Sequence, residues 1–123
     1  MSGNSRLLLD TNAVLYLLGA SSPCEFLEGK EIYISFVTEL ELLSYPSLTA
    51  SEEQNINFFL AKCRTIDLAR KIKDNAIKLK KAHSIKLPDA IIAATALCEG
   101  LVLVTNDKKL LQLREIKTQR FSG

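Results

Sequence analysis

The chain has 123 residues, 47% of them hydrophobic, and a net charge of +2, which suits one folded domain with its own core over residues 1–123. No apolar run is long enough to span a membrane, and the first residues lack the basic and apolar segments of a signal peptide. Cys24, Cys63 and Cys98 are widely spaced and form no Cys-x-x-Cys pair. They give no support to a disulfide framework or a thiolate zinc site, and they favour a reducing cytoplasm as the setting.

Short apolar strands alternate with helices in the first half of the chain. Its predicted elements are a strand at 6–9, a helix at 11–18, a short helix at 22–27, a strand at 31–36 and a helix at 37–44. Gly19 is expected to end the first of these helices. Ser51 and Gln54 match a capping box, which predicts that a further helix begins at Ser51.

The second half continues the alternation. Its predicted elements are a strand at 64–66, a helix from 67 to about 81, a helix from 88 that Gly100 ends, a strand at 101–104, a short helix at 107–113 and a last strand at 116–118. Asp67 is expected to cap the long helix. This alternation predicts an α/β fold with a largely parallel sheet, in which right-handed crossovers bring the strand ends to one edge.

Carboxylates stand where such a fold would bring them together. Asp10 and Asp107 follow predicted strands, Asp89 lies in the first turn of a helix, and Glu39 or Glu41 follows another strand. Clustered carboxylates repel one another unless protons or metal ions neutralise them. Oxygen donors suit Mg²⁺ and Mn²⁺, and one or two such ions can activate water for phosphodiester hydrolysis. We therefore predict a metal site at Asp10 and Asp107, where Asp89 binds metal or orients water.

Each acid also has a structural explanation. Asp89 and Asp107 would each stabilise the start of a helix, and Glu39 and Glu41 would face solvent. Asp10 is harder to explain in this way, since a carboxylate at the end of a buried strand destabilises the fold unless it is paired or metal-bound. The convergence of several acids at one sheet edge favours a site.

Polar and basic side chains near the acids are the remaining candidates. The supporting hydroxyl and amide groups are Thr11, Asn12, Thr38, Thr105 and Asn106, although helix capping or backbone hydrogen bonds account for each of them at least as well. Residues 70–86 contain seven cations and one acid, an asymmetry that attracts a polyanion, although a solvated helix face gives the same pattern. The candidates for contacts with a polyanion are Lys78, Lys80, Lys81 and Lys86.

Four segments resemble the acidic motifs of PIN-domain nucleases, and specifically those of the VapC-type toxins of bacterial toxin–antitoxin pairs. The segments are Leu8-Leu9-Asp10-Thr11-Asn12, residues 35–42, residues 87–96 and Leu103-Val104-Thr105-Asn106-Asp107. They stand in the family's order along nearly the whole chain, and the second alignment selects Glu41 over Glu39. Many relatives carry Asn where Asp107 stands, with an Asp-Phe pair further on, so the fourth acidic role rests on Asp107 alone.

The resemblance implies a three-layer α/β/α sandwich with a central, mainly parallel sheet, commonly as a homodimer. It implies a magnesium- or manganese-dependent endoribonuclease that cleaves single-stranded or loop RNA. Asp10, Asp89 and Asp107 would hold the metal in that enzyme, and Glu41 would complete the acidic pocket. The resemblance also implies inhibition by a cognate antitoxin, whose C-terminal segment lies along the toxin and occludes the site.

Other classes fit the residues less well. A haloacid-dehalogenase-like phosphatase also begins with an Asp after its first strand, but it usually needs a second acid two residues later, where this chain has Asn12. A receiver domain requires an acidic pair before its phosphorylated Asp, and none precedes Asp10. A catalytically silent PIN-like module that binds RNA or protein is the stronger alternative, although all four acids are present.

Overall fold

Strands and helices alternate along the chain in the computed structural model, which describes residues 6–19 and 28–121. The strands are β1 (Arg6–Leu9), β2 (Glu31–Ser35), β3 (Arg64–Ile66), β4 (Val102–Val104) and β5 (Lys117–Gln119). The helices are α1 (Thr11–Leu18), α2 (Phe36–Leu43), α3 (Ala50–Ala61), α4 (Arg70–Ala82), α5 (Leu87–Glu99) and α6 (Lys108–Leu111). The short helix predicted at 22–27 lies outside the described residues.

The five strands form one sheet in the order β3-β2-β1-β4-β5, and every neighbouring pair is parallel. The chain builds outward from β1 to β2 and β3, then crosses over to β4 on the other side of β1. The strand order therefore reverses between β1 and β4, which is where ligands bind in open parallel sheets, outside the carboxyl ends of the strands. The predicted parallel sheet is confirmed.

Side chains of β1 alternate between two hydrophobic cores, one on each face of the sheet. Leu8 packs in the core that buries α4, α5 and α6, and this core contains Ile72 from α4. Leu7 and Leu9 pack in the opposite core, which contains Val14 from α1 and further residues from α3. Helices thus cover both faces, and the expected three-layer α/β/α sandwich is confirmed.

Helix α3 begins at a different capping box from the one predicted at Ser51 and Gln54. The side chain of Thr49 accepts a hydrogen bond from the backbone N–H of Glu52 at 3.1 Å. The Glu52 carboxylate accepts one from the backbone N–H of Thr49 at 2.9 Å. Both pairs have the same spacing, and the one with a charged acceptor makes the stronger hydrogen bond.

The prediction that Asp67 caps the long helix is wrong. Helix α4 begins three residues later, at Arg70, and its N-cap residue Ala69 makes no side-chain hydrogen bond. The other boundaries agree to within about two residues, and Gly100 ends α5 with a φ of 64°, a conformation that glycine adopts without strain. No helix within the described ranges combines the length and the apolar character that a membrane crossing requires.

Candidate active site

A cleft of about 460 Å³ opens at the carboxyl edge of the sheet, and all four predicted carboxylates line it. They come from four places in the chain: the end of β1, the helix α2, the first turn of α5 and the segment after β4. The residues that line the cleft are Asp10, Thr11, Asn12, Glu41, Ser44, Tyr45, Lys86, Pro88, Asp89, Ile92 and Asp107. Glu39 is not among these described residues, so the geometry places Glu41, rather than Glu39, with the three aspartates.

Asp10 is buried, with 5% of its surface exposed, and it caps helix α1. Its Oδ1 accepts a hydrogen bond from the backbone N–H of Ala13 at 2.8 Å. Burial raises the pKa of Asp10, and the nearby charges of Asp107 and Glu41 raise it further, while hydrogen bonds from Thr105 and Ala13 oppose them. The ionised carboxylate is therefore held in place by hydrogen bonds but destabilised by its surroundings.

Asp89 is half-buried in the first turn of α5. Its pKa is also raised, by burial first and then by the charges of Asp107, Asp10 and Glu41, while the nearby cation Lys86 lowers it. The acids of the cleft are therefore close enough to repel one another. The position of Asp89 at a helix N-terminus favours the ionised carboxylate and therefore acts against this shift.

Asp107 caps a helix as well as lining the cleft. Its Oδ1 accepts a hydrogen bond from the backbone N–H of Leu110 at 3.1 Å, at the start of α6. Its own backbone N–H donates to Oγ1 of the buried Thr105 at 3.0 Å. The capping role considered for Asp107 is thus present in the structure, and the residue still belongs to the cleft.

Two threonines fix the position of Glu41. Thr11 Oγ1 lies 2.6 Å from Glu41 Oε1 and 3.1 Å from Thr38 Oγ1. Because a hydroxyl carries one proton, Thr11 donates to the carboxylate and accepts from the fully buried Thr38. This chain of hydrogen bonds runs from the core of α2 to the acidic cleft and orients the Glu41 side chain.

Comparison with known proteins identifies the family of this chain. The family model described as the PIN domain matches residues 7–116. The chain belongs to the PIN domain family. A search of curated protein sequences gives no significant match.

Several solved structures similar to this PIN domain are toxin–antitoxin complexes. A chain of VapBC2 from Rickettsia felis, bound to a DNA fragment from its promoter, has a TM-score of 0.82 and 25% identity, over 95% of this chain and 99% of that one. A toxin–antitoxin complex from Klebsiella pneumoniae has a TM-score of 0.77 and 27% identity, over 94% and 96%. VapBC-1 from nontypeable Haemophilus influenzae has a TM-score of 0.72 and 25% identity, over 94% and 97%. The predicted resemblance to VapC-type toxins is confirmed, and it supports a nuclease of the toxin–antitoxin type.

The other predicted residues of the PIN domain fall into two groups. Asn12 and Lys86 line the cleft directly. Asn106 instead accepts a hydrogen bond from the backbone N–H of Phe121 at 3.1 Å. Its side chain therefore joins the segment after β4 to the segment after β5. The three lysines of α4 are not among the described residues that line the cleft; they are Lys78, Lys80 and Lys81.

Four residues of the cleft lining were not predicted from sequence, and they are Ser44, Tyr45, Pro88 and Ile92. A signal for two of them was present. Ser44 follows Glu41 by three residues, and Ile92 follows Asp89 by three. These are the spacings that place side chains on the same side of a helix. Tyr45 lies two residues beyond the end of α2, where helical spacing no longer predicts which way a side chain points.

The donor set of the cleft suits a hard cation. No group of three or more His, Cys, Asp or Glu side chains in the described ranges is already arranged to hold a metal ion. Magnesium does not require such a cage, because it keeps several waters and binds through one or two carboxylates. The raised pKa values of Asp10 and Asp89 add a second argument, since a bound cation would relieve the repulsion that causes part of both shifts. The residues present therefore fit Mg²⁺ or Mn²⁺.

Proposed function

We propose that this PIN domain is a Mg²⁺- or Mn²⁺-dependent endoribonuclease toxin. It hydrolyses phosphodiester bonds in single-stranded or loop RNA, and a cognate antitoxin neutralises it in the cytoplasm. The observation that carries the proposal is the convergence of Asp10, Glu41, Asp89 and Asp107 on one cleft at the point where the strand order reverses. A concentration of negative charge there hinders RNA binding unless a cation neutralises it.

In this proposal the three aspartates hold the metal, and Glu41 completes the acidic pocket. When bound, the cation lowers the pKa of a coordinated water and stabilises negative charge on the phosphoryl oxygens. The chain's own contribution is to fix its carboxylates. Ala13 holds one oxygen of Asp10 through its backbone N–H, and Thr11 holds Glu41 through its hydroxyl. Fixed donors stabilise charge without reorganising during the reaction.

Lys86 is proposed to contact a phosphate of the substrate. Among the described residues that line the cleft, Lys86 is the one with a positively charged side chain. It is the N-cap residue of α5 and lies three residues before Asp89. A lysine in an acidic cleft serves two purposes, because it reduces the repulsion on Asp89 and leaves donors for a phosphate oxygen. Lys78, Lys80 and Lys81 are proposed only to attract RNA at longer range.

The antitoxin partner is proposed from those similar structures that are complexes of toxins with antitoxins. The homodimer and the extent of the nuclease domain over residues 1–123 are proposed from the family resemblance. Whether the antitoxin covers the acidic cleft is tested by adding it to the cleavage assay described next. Loss of cleavage at a molar ratio near one is the expected result.

The test of the proposed function is cleavage of a mixed pool of single-stranded and structured RNA by the purified, antitoxin-free protein. Reactions contain magnesium, manganese or a chelator, and run beside Asp10→Asn, which retains an oxygen for the Ala13 N–H. We expect cuts that require the metal, fall in unpaired segments and are absent with Asp10→Asn. RNA binding without cleavage under every metal condition would instead support the catalytically silent binding module.

A further inference from the structure

Tyr45 places an aromatic ring at the wall of the acidic cleft without using it in the fold. The residue is 45% exposed, and within the described part of the chain its side chain makes no hydrogen bond or ring contact. It also lines a neighbouring groove of about 420 Å³, so the ring stands where the two cavities meet. Among the described residues that line the two cavities, Tyr45 is the one aromatic residue.

The backbone beneath this ring is held in a turn. The backbone N–H of Leu48 donates to the carbonyl oxygen of Tyr45 at 3.2 Å, and Pro46 occupies the second position of the turn. Proline fixes its own φ at the value that this position needs. Only the two side-chain torsions of Tyr45 then have to be ordered when a ligand arrives, so the ring is a contact surface with a small entropic penalty.

Resting on the proposed ribonuclease function, we propose that Tyr45 is a substrate-positioning residue on which an unpaired base beside the scissile phosphate stacks. Tyr45 comes from the segment that follows α2, the helix that carries Glu41, so the ring and the acids line one cleft. Every base has a π face, and an aromatic ring therefore accepts any base that is free to leave its stack. A base inside a duplex is paired and stacked, so stacking on Tyr45 would favour single strands and loops over duplexes.

The groove beyond Tyr45 suits the base better than it suits a phosphate. Its lining includes the apolar residues Leu15, Leu48 and Ile56, together with the acid Glu52. Apolar surface accepts the flat face of a base, whereas Glu52 repels the backbone. The stacked nucleotide is thus directed with its base toward the groove and its phosphate toward Lys86 and the proposed metal site.

The experiment compares Tyr45→Leu, Tyr45→Phe and the control Phe58→Leu on an oligoribonucleotide that the wild type cleaves. Phe58 is 67% exposed on α3 and lines neither cavity. Tyr45→Leu should raise KM about tenfold, as the loss of one base–aromatic stack predicts, with kcat changed less than about twofold. Tyr45→Phe keeps the ring and should restore most of the affinity, and Phe58→Leu should match the wild type.

A second arm varies the RNA, and its measurement on the wild type does not depend on how the variant folds. An abasic nucleotide beside the cleaved bond should raise the wild-type KM about as much as Tyr45→Leu does, and should add little in Tyr45→Leu. An unchanged KM in Tyr45→Leu, or additive effects of the two changes, overturns the proposal. In either case the wild type still cleaves, so the proposed function stands.

A wild type that cleaves no RNA would contradict the proposed function, and the stacking proposal then rests on binding alone. The probe is a fluorescein-labelled single-stranded RNA of about 12 nucleotides, a length within one single-strand site. Its fluorescence anisotropy gives the Kd of the Asp10→Asn variant and of the double variant that also carries Tyr45→Leu. An increase in Kd of about tenfold with Tyr45→Leu supports stacking. Equal Kd values overturn it.

Discussion

Helices α4 and α5 have 13 residues each and pack against each other, yet they contribute to the acidic cleft in different ways. Helix α4 carries the exposed lysines Lys78, Lys80 and Lys81, none of which is among the described residues that line the cleft. Helix α5 is largely buried, but its start brings Lys86 and Asp89 into the cleft. Position relative to the sheet edge, rather than density of charge, decides which helix contributes to the site.

The largest effect should come from removing one carboxylate from each helix in turn. Asp89→Asn on α5 should lower kcat/KM for RNA cleavage by at least about 100-fold, the range found when one electrostatic group of an active site is removed. Asp74→Asn on α4 removes the same charge from an exposed position and should change kcat/KM less than about twofold. Steady-state kinetics in magnesium measure both, and equal losses would contradict the difference between the helices.

The next effect concerns the lysines. Lys86→Ala should raise KM by about fivefold, equivalent to about 1 kcal/mol, because it removes a charged donor from the cleft itself. Lys80→Ala, which removes the same side chain from α4, should change KM less than about twofold. A larger KM for Lys80→Ala than for Lys86→Ala would move the RNA footprint from the cleft to the lysine face.

The third effect is on stability. The folded-state pKa of Asp10 is raised, so its protonation favours the fold, and that contribution is present at low pH and lost as the pH rises through the folded pKa. Near pH 7 the ionised carboxylate therefore destabilises the metal-free protein. Asp10→Asn should raise the free energy of unfolding by about 1 kcal/mol. Urea denaturation in a chelator measures the gain.

Two controls sharpen the stability prediction. Asp74→Asn should leave the free energy of unfolding unchanged to within about 0.5 kcal/mol, as for ordinary surface substitutions. The gain from Asp10→Asn should disappear below the pH range in which free aspartate titrates, because Asp10 is then neutral in both states. A gain that persists there would show that packing, rather than the charge of Asp10, causes it.

The smallest effect should come from replacing all three lysines of α4 by alanine. The triple variant should bind RNA only slightly less tightly near physiological salt, because exposed charges are screened beyond about 8 Å. Its main signature should be a flatter salt dependence, since the slope falls by about 0.7 for every single-strand phosphate that the protein no longer neutralises. An unchanged slope in a binding titration would remove α4 from the RNA footprint.

The sheet and three of the acids could be predicted because their signals are local. The apolar runs before Asp10 and Asp107 mark strands that are covered on both faces, and a carboxylate within a few residues of the end of such a strand lies near its carboxyl end. Asp89 follows Pro88, which marks a helix start. The choice of Glu41 over Glu39 came only from the family resemblance, because both positions are compatible with the same helix.

Other features depend on contacts between distant segments or on small local differences, which a single sequence does not reveal. The hydrogen bond between Thr11 and Glu41 joins residues thirty positions apart. Tyr45 follows the end of α2, so its distance in sequence from Glu41 does not predict that it lines the cleft. The competition between Thr49 and Ser51 for the start of α3 was decided by which neighbour supplied a carboxylate, a difference too small for pattern matching to resolve.

Asp10 and Asp107 each use one carboxylate oxygen to cap a helix, and this has a genetic consequence. An asparagine keeps that oxygen, so the substitution that removes the negative charge leaves the cap intact. Aspartate and asparagine codons differ at a single base, which makes this change one of the most accessible. Under the proposed function, mutations that inactivate the toxin in this way would therefore yield a folded protein that still binds its antitoxin. A cell carrying such an allele would keep both proteins of the pair but lose the nuclease activity.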